Sequence, residues 1–265
     1  MAESQSITSS PTSRATYIPS PQNVRRLRFL LTTLSGLPPE LTDLIIDFAE
    51  YWPVLKSSSK EFVRVSASVT TEYNAALLYH VTREPIPKPL RGERVAVKDV
   101  KFRIRSWDQG QIGQYRYGPV AVSQDWNGQP ENYGTYSGSG TWFEACVLRT
   151  RDADAEAKPR APRRIFQPDT AYTWDFDGWE LVWRDAPLDQ ERQATWRLQT
   201  NVCASSFEKQ HEVVWSRHAN ESPTEGSGDG MGFVAALKPG DHIGVWCPKW
   251  MNYVREIAIE MRYAM

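Results

Sequence analysis

The sequence is short of most things that would name a chemistry. Charge of one sign is missing: 31 basic residues face 32 acidic ones, for a formal net charge of -1. The chain therefore lacks the excess that draws proteins to nucleic acid or to a membrane surface. Cysteine is scarce, and Cys146, Cys203 and Cys247 are too far apart for a disulfide framework and show no CxxC metal spacing. Each falls in a run that reads as a strand, so each is expected to be a small buried hydrophobe in a reducing compartment. There are only four histidines, which leaves few general bases or metal ligands. No run of about 18 apolar residues occurs, so no membrane-spanning helix is expected. The patterns GxSxG, HExxH, Walker A, GxGxxG and HxE…PCxxC are all missing. What the chain has in excess is rings: 11 Trp, 11 Tyr and 9 Phe, with Trp at about three times ordinary usage.

The pattern of apolar residues changes once along the chain. Residues 1–23 are rich in Ser, Thr and Pro and read as a disordered tail. This stretch is acid-poor and carries Arg14, with Arg25, Arg26 and Arg28 just beyond. That composition keeps a mitochondrial transit peptide as the alternative to a cytoplasmic location. Residues 24–56 read as helical: Val24 to Leu34, ended by Ser35-Gly36, and then a segment opening at Leu37-Pro38-Pro39-Glu40. In the second segment Leu41, Leu44, Ile45, Phe48 and Trp52 recur on one helical face. From Glu61 the period becomes 2. Val63, Val65, Ala67 and Val69 alternate with polar residues, as do Val100, Phe102 and Ile104. Further runs begin at Ala75, Trp142, Trp179, Trp196, His211, Ile243 and Ile257. About nine strands separated by turns, with no βαβ alternation, predict an all-β fold over 57–265. The expected architecture is an antiparallel β-sandwich, jelly-roll or galactose-binding-like, behind one or two N-terminal helices. Lys238-Pro239-Gly240-Asp241 predicts a type II turn.

Two connections are long. Arg151 to Gln167 is charged and reads as a solvated insertion. Gln109 to Gly140 is different: it holds seven glycines and four tyrosines, with Trp107 and Trp142 at its edges. Long loops of this composition on a regular sheet are usually functional. Near it in the pattern stand Trp107, Asp108, Gln109, Tyr136, Trp142, Glu144, Asn201 and His211, with Asp241 further on. Indole and phenol faces stack on apolar ring faces, while carboxylates and amides hydrogen-bond at the edges. The set is expected to gather around one concavity lined by Trp107, Tyr136 and Trp142. The bland alternative is that the tryptophans are core and the polar residues are caps. His211 and His218 are seven apart, which on a strand puts them on opposite faces, so no metal is expected there.

Several blocks also form a recognisable signature. They are Ser106-Trp107-Asp108-Gln109-Gly110, Gly134-Thr135-Tyr136-Ser137-Gly138 and Thr141-Trp142-Phe143-Glu144-Ala145. His211 to Trp215, Leu237 to Asp241 and Trp250 to Val254 complete it. Together with the Leu37 to Trp52 helix, they resemble a widespread family of fungal intracellular proteins without an established activity. That family commonly has His where this chain has Trp107, and Trp where it has Gln111. The resemblance implies source and fold more than function. A weaker similarity links Leu37-Pro38-Pro39-Glu40-Leu41 with Ile45 to the opening of the F-box, the adaptor motif of ubiquitin ligases; it implies a ubiquitin-ligase component as partner. The alternative for the same residues is a helix whose apolar face plugs the sandwich.

The functional expectation is a non-catalytic intracellular recognition module that takes a glycan-like small molecule or a partner protein segment, with no cofactor, no metal, no nucleic acid and no membrane. Two alternatives stand beside it. One is a hydrolase or lyase using Asp108 and Glu144 as paired carboxylates, which glycoside hydrolysis needs about 5–10 Å apart. The other is the F-box-like adaptor. Nucleic-acid stacking, with Phe102, Arg103 and Arg105 as a basic stripe, finds no supporting net charge.

Overall fold

The computed structural model describes residues 17–65, 76–108, 132–150, 166–167, 178–184, 193–217, 224–248 and 252–265. It divides into two compact units, Met1–Pro53 and Val54–Met265. The tail over 1–16 and most of the glycine-rich segment, 109–131, lie outside the described residues, as do Gln109 and His218.

In the first unit, α1 spans Pro21–Phe29 and runs on into a π-helical turn, Leu30–Leu34. Ser20 caps α1: its hydroxyl accepts the Asn23 amide N–H while the Asn23 side chain accepts the Ser20 N–H. Helix α2 is Pro39–Phe48, with proline in its first turn, where its missing N–H costs nothing. It stops four residues short of the expected Trp52. Glu50 takes a left-handed φ of 47°, and the Trp52 indole turns back to donate to Asp47 at 3.0 Å. Leu41, Leu44, Ile45 and Phe48 are exposed, Phe48 at 90%, whereas Thr42 and Ile46 are buried. The buried stripe is thus the neighbouring i, i+4 row. On the polar side, Arg28 pairs with Asp43 at 2.7 Å, tying α1 to α2.

The second unit is an antiparallel β-sandwich. Its strands are β1 (Val54–Ser59), β2 (Val63–Val65), β3 (Ala76–Val81), β4 (Ala96–Trp107), β5 (Trp142–Thr150), β6 (Phe166–Gln167), β7 (Trp179–Leu181), β8 (Thr195–Thr200), β9 (Lys209–Ser216), β10 (His242–Pro248) and β11 (Asn252–Ala264). One sheet, A, has the order β1-β11-β4-β9, with β2 pairing the other half of the same edge of β11. The other, B, has the order β6-β3-β10-β5-β7, with β8 pairing β5 beside β7. If β1 with β2 and β7 with β8 each count as one broken strand, and β6 as an addition, the chain order in the two sheets is 1-8-3-6 and 2-7-4-5. This is the jelly roll of two Greek keys. The expected runs from Ala75 onward all appear as strands. β1 and β6 were not expected, since Lys56-Ser57-Ser58-Ser59 has no apolar alternation and β6 is only a pair of residues.

The core follows from alternation. Val100, Phe102 and Ile104 of β4, Val213 and Trp215 of β9, and Ile257, Ile259 and Met261 of β11 face Phe143, Ala145, Val147, Trp196, Leu198, Ile243 and Val245 of sheet B. At its centre four rings meet edge to face: Phe233 lies 4.9 Å from Trp215 and 5.1 Å from Trp196, and Phe102 lies 5.1 Å from Trp215. Their indole N–H groups donate to the carbonyls of Gly228 and Met231, so the segment carrying those carbonyls must lie flat on the rings. A side chain at Gly228 would overlap the Arg197 carbonyl, and one at Gly230 the Trp215 ring. Gly230→Ala, which adds a left-handed φ of 60° to that overlap, is expected to cost about 2–4 kcal/mol in denaturant unfolding.

The 238–241 turn is type II as expected: Gly240 has φ 92° and Asp241 N–H donates to the Lys238 carbonyl at 3.1 Å. Asp241 is 1% exposed. It accepts Arg149 through both oxygens (2.8 and 2.7 Å) and also the Lys238 amide at 2.7 Å. This carboxylate locks the turn to β5 and is a structural residue.

Candidate functional site

Alternation also decides where each expected site residue goes. In β4 the even residues from Val100 to Ser106 face the core, so Trp107 faces outward from sheet A. In β5 the core takes Phe143 and Ala145, so Trp142 and Glu144 face outward from sheet B. The two indoles are therefore on opposite outer faces of the sandwich, so among the described residues they do not line the single concavity expected from the sequence. Trp142 is engaged on its own face: its indole N–H donates to Glu144 at 2.8 Å, and the Arg197 guanidinium sits 4.2 Å from its ring centroid. The Asp108–Glu144 carboxylate pair is lost for the same reason. Asp108 lies at the end of a core-facing row, 7% exposed, and accepts the Ala204 amide at 3.1 Å, while Glu144 looks outward through the other sheet.

The remaining expected residues close one end of the interior. Ser106 donates to Asn201 Oδ1 at 2.7 Å, and Asn201 Nδ2 donates to Thr141 at 3.2 Å. This chain links the two sheets where β4 ends and β5 begins. Gln199 donates twice, to the carbonyls of Thr200 and Glu225. His211 is 5% exposed and meets the Tyr136 ring edge-on at 5.9 Å, while Lys209 lies over the other part of that ring at 4.7 Å. Burial first, and Lys209 second, push the His211 imidazole down to about 4, so it is neutral. Asn201 and His211, expected as ligand contacts, are buried structural groups. The returning arm of the glycine-rich segment is pinned beside them, with Cys203 N–H donating to the Thr135 carbonyl and Gly134 N–H to that of Cys203.

Other chemistry is quiet. All three cysteines are buried and free; burial pushes the Cys146 thiol up to about 12 and Cys247 well above its usual range. Such thiols are inert. Among the described residues no group of three His, Cys, Asp or Glu side chains is arranged to hold a metal, and no helix is long and apolar enough to cross a membrane. An open cleft of about 300 Å³ beside β1 is lined by Lys56, Lys60, Arg83, Glu256 and Glu260. Ser57, which also lines it, lies 3.0 Å from His80 Nε2 and accepts the Arg83 amide. Burial, and then Arg83, push His80 down to about 4, so it is a poor base at neutral pH. The pair bridges β1 and β3 across the edge of the sandwich.

The basic stripe of β4 is matched residue by residue. Glu212 accepts Lys101 at 2.5 Å and Arg103 at 3.2 Å. Arg103 reaches Glu260 at 2.8 Å, and Arg105 pairs with Glu208 and Glu256. Lys56 and Lys60 of the β1 side meet Glu260 and Glu256. On the face of sheet A these cations of β4 and of the β1 side are thus each paired with a carboxylate of β11 or of the β9 side.

At the Trp107 end of that face the charges give way to rings. Registration places Arg64 of β2, Tyr253 of β11 and Trp107 of β4 in one row across three strands. Trp107 and Tyr253 are nearly parallel, 4° apart in plane with centroids 5.4 Å apart. Phe62, which is 54% exposed, lies parallel to both, 5.9 Å from Trp107 and 6.4 Å from Tyr253. In a column, the outer two rings would be about twice as far apart as neighbours. Here all three separations are similar, so the rings form a triangular cluster of offset, roughly parallel rings. Arg255 stands 5.8 Å from the Trp107 ring and Arg64 5.7 Å from Tyr253. Arg255 is the extra residue of a bulge: β11 advances two residues, Val254 to Glu256, while β4 advances one, Ser106 to Arg105. The bulge keeps Val254 and Ile257 in the core while Tyr253, Arg255 and Glu256 all face out. Phe62 and Tyr253 were not expected from the sequence. The register that unites them with Trp107 is a tertiary fact, although the sheet period already put Trp107 on the polar face of β4.

No family model matches the chain, and no curated protein is significantly similar to it.

Proposed function

We infer that the sandwich is a non-catalytic recognition module, holding a glycan-like small molecule or a partner segment through exposed rings and transforming neither. One observation carries this reading: the Trp107 indole lies on the outer face of sheet A in a roughly parallel, partly exposed cluster with Tyr253 and Phe62, instead of in the core. Exposed ring clusters are costly to leave in water and are typical anchors of binding surfaces. The test is retention of the protein on immobilised oligosaccharides and displayed peptides. Trp107→Ala is expected to abolish retention and to leave the melting temperature within about 3 °C, since no core contact is removed. Retention that survives the substitution overturns the reading. Paired-carboxylate hydrolysis has no comparable support, because Asp108 and Glu144 face different sides of sheet B.

A second reading concerns α2 alone. The F-box-like similarity requires Leu41 and Phe48 to be accessible, and they are 47% and 90% exposed. Four large apolar side chains in water on one helix favour an adaptor that docks this helix on a ubiquitin-ligase component. Leu41→Asp combined with Phe48→Asp is expected to abolish co-purification of such a component without loss of helix signal in circular dichroism. Unchanged co-purification, or none with the native chain, ends the adaptor reading.

A further inference from the structure

We propose that the helical unit is a dimerisation module, in which α1 of each chain packs on α2 of a second copy. This goes beyond the recognition reading and rests on neither reading above. It claims for a second copy the α2 stripe that the adaptor reading gives to another protein.

Bare apolar surface comes first. Helix α2 buries its smaller row, Thr42 and Ile46, and leaves Leu41, Leu44, Ile45 and Phe48 in water. Along α1 and the π-helical turn, Phe29, Leu30 and Leu34 are exposed as well, Phe29 at 60% and Leu34 at 74%. At roughly 200 Å² for each side chain when fully bare, these residues leave roughly 800 Å² of apolar surface on one pair of helices. That exceeds the largest patch of a typical monomer and matches one partner's share of a standard interface. Two such pairs make a four-helix bundle.

Charge names the occupant. From Tyr17 to Arg28 the chain has Arg25, Arg26 and Arg28 and no acid. From Phe29 to Leu55 it has Glu40, Asp43, Asp47 and Glu50 and no lysine or arginine. So α1 is a basic helix and α2 an acidic one. Spacing sets these charges beside the bare rows: Arg26 is exposed one turn before Phe29 and Leu30, and Glu40 is exposed one turn before Leu44. Within one chain the complementarity is already in use, where Arg28 meets Asp43 at 2.7 Å.

Two α2 helices laid on each other would bring acid against acid, whereas α1 on the α2 of a second copy brings opposite signs together. About a twofold axis that contact occurs twice, because each chain offers the surface that the other needs. A chain that carries both halves of the pair requires no other protein to cover them. The dimer presents two ring clusters, so a ligand with repeated sites is held by both.

The experiment is sedimentation velocity of the full chain from about 2 to about 200 µM. The mass is expected to rise with concentration from 30.3 kDa toward twice that value. Leu44→Asp combined with Phe48→Asp should weaken the dimer at least about tenfold. Both side chains lie in water in the single chain, so the helix signal in circular dichroism should stay unchanged. Arg26→Glu and Glu40→Arg should each weaken the dimer about fivefold, since each reverses a charge in both copies of the contact, and together they should restore most of the affinity. Raising salt from about 50 to about 500 mM should loosen it. A chain that stays monomeric throughout overturns the proposal; a ubiquitin-ligase component that co-purifies with that monomer then upholds the adaptor reading by itself. A dimer indifferent to the Leu44 and Phe48 substitutions assembles elsewhere and overturns the proposal. So does a dimer that tightens in salt, which is the mark of acid packed against acid.

Discussion

Acidification from pH 7.5 to pH 5 is expected to remove about 4 kcal/mol from the stability of the sandwich. The effect comes from two imidazoles, His80 and His211, which are 8% and 5% exposed. Each is pushed from an ordinary value of 6.5 to about 4. Unfolded, each takes up a proton near pH 6.5; folded, each stays neutral until about pH 4. Below 6.5 the unfolded chain therefore binds more protons, and stability falls as pH falls. The deficit is about 2 kcal/mol per histidine at pH 5 and grows until about pH 4. Among the described residues no carboxylate acts on either ring to offset this: His80 meets Ser57 and Arg83, and His211 meets Tyr136 and Lys209. His242 adds to the trend, because burial lowers it, although its Nδ1 proton, donated to the Thr82 carbonyl at 2.7 Å, and the nearby Glu84 and Asp241 pull the other way. Against a typical reserve of about 5–15 kcal/mol, this is a large fraction. Urea unfolding at half-unit steps of pH measures it. His80→Gln and His211→Gln should each flatten the curve between pH 6.5 and 4.5; a native midpoint that holds steady over that range would contradict the assignment.

The second large effect is expected at Asp241. Asp241→Ala should cost about 3 kcal/mol, near the lower end of what breaking a buried ion pair costs, because the Arg149 side chain is 26% exposed and can partly return to water. Two losses combine: the guanidinium is left without its bidentate partner, and the Lys238 amide loses its acceptor. Asp241→Asn keeps one acceptor and should recover part of the loss. Guanidinium unfolding of the three proteins reads both numbers. An alanine variant within about 0.5 kcal/mol of native would mean that the turn holds without the carboxylate.

The architecture was legible because the period of 2 survives in the sequence wherever one strand face is core. β4, β9 and β11 state their inner residues outright: Phe102 and Ile104, Val213 and Trp215, Ile257 and Ile259. β1 was not legible, since as an edge strand it buries chiefly Ser57, and its serines pattern like a turn. The candidate site was legible only residue by residue. Trp107 stood out as an indole on a polar face. Its grouping with Trp142 failed because the β4–β5 crossover puts the two indoles on opposite sheets, while Tyr136 packs against His211 and Lys209 of β9. Asn201 and His211 looked like ligand contacts because polar residues in apolar strands attract that reading. Their real partners, Ser106, Thr141 and Tyr136, come from distant parts of the chain and leave no mark in linear spacing. For the same reason Phe62 and Tyr253, 191 positions apart by their numbers (253 − 62), could not be joined before the register of β2, β4 and β11 was known.

The surplus residue in β11 can be removed without disturbing what the strand pairs with. With Arg255 excised and the pairing from Ile257 onward held in place, Glu256 would still meet Arg105, Val254 would meet Ser106 and Tyr253 would meet Trp107. The alternation would become regular, with the valine inward and the phenol outward as before. A one-codon deletion there would thus take from the ring cluster only the guanidinium near Trp107 and leave both rings and core in place.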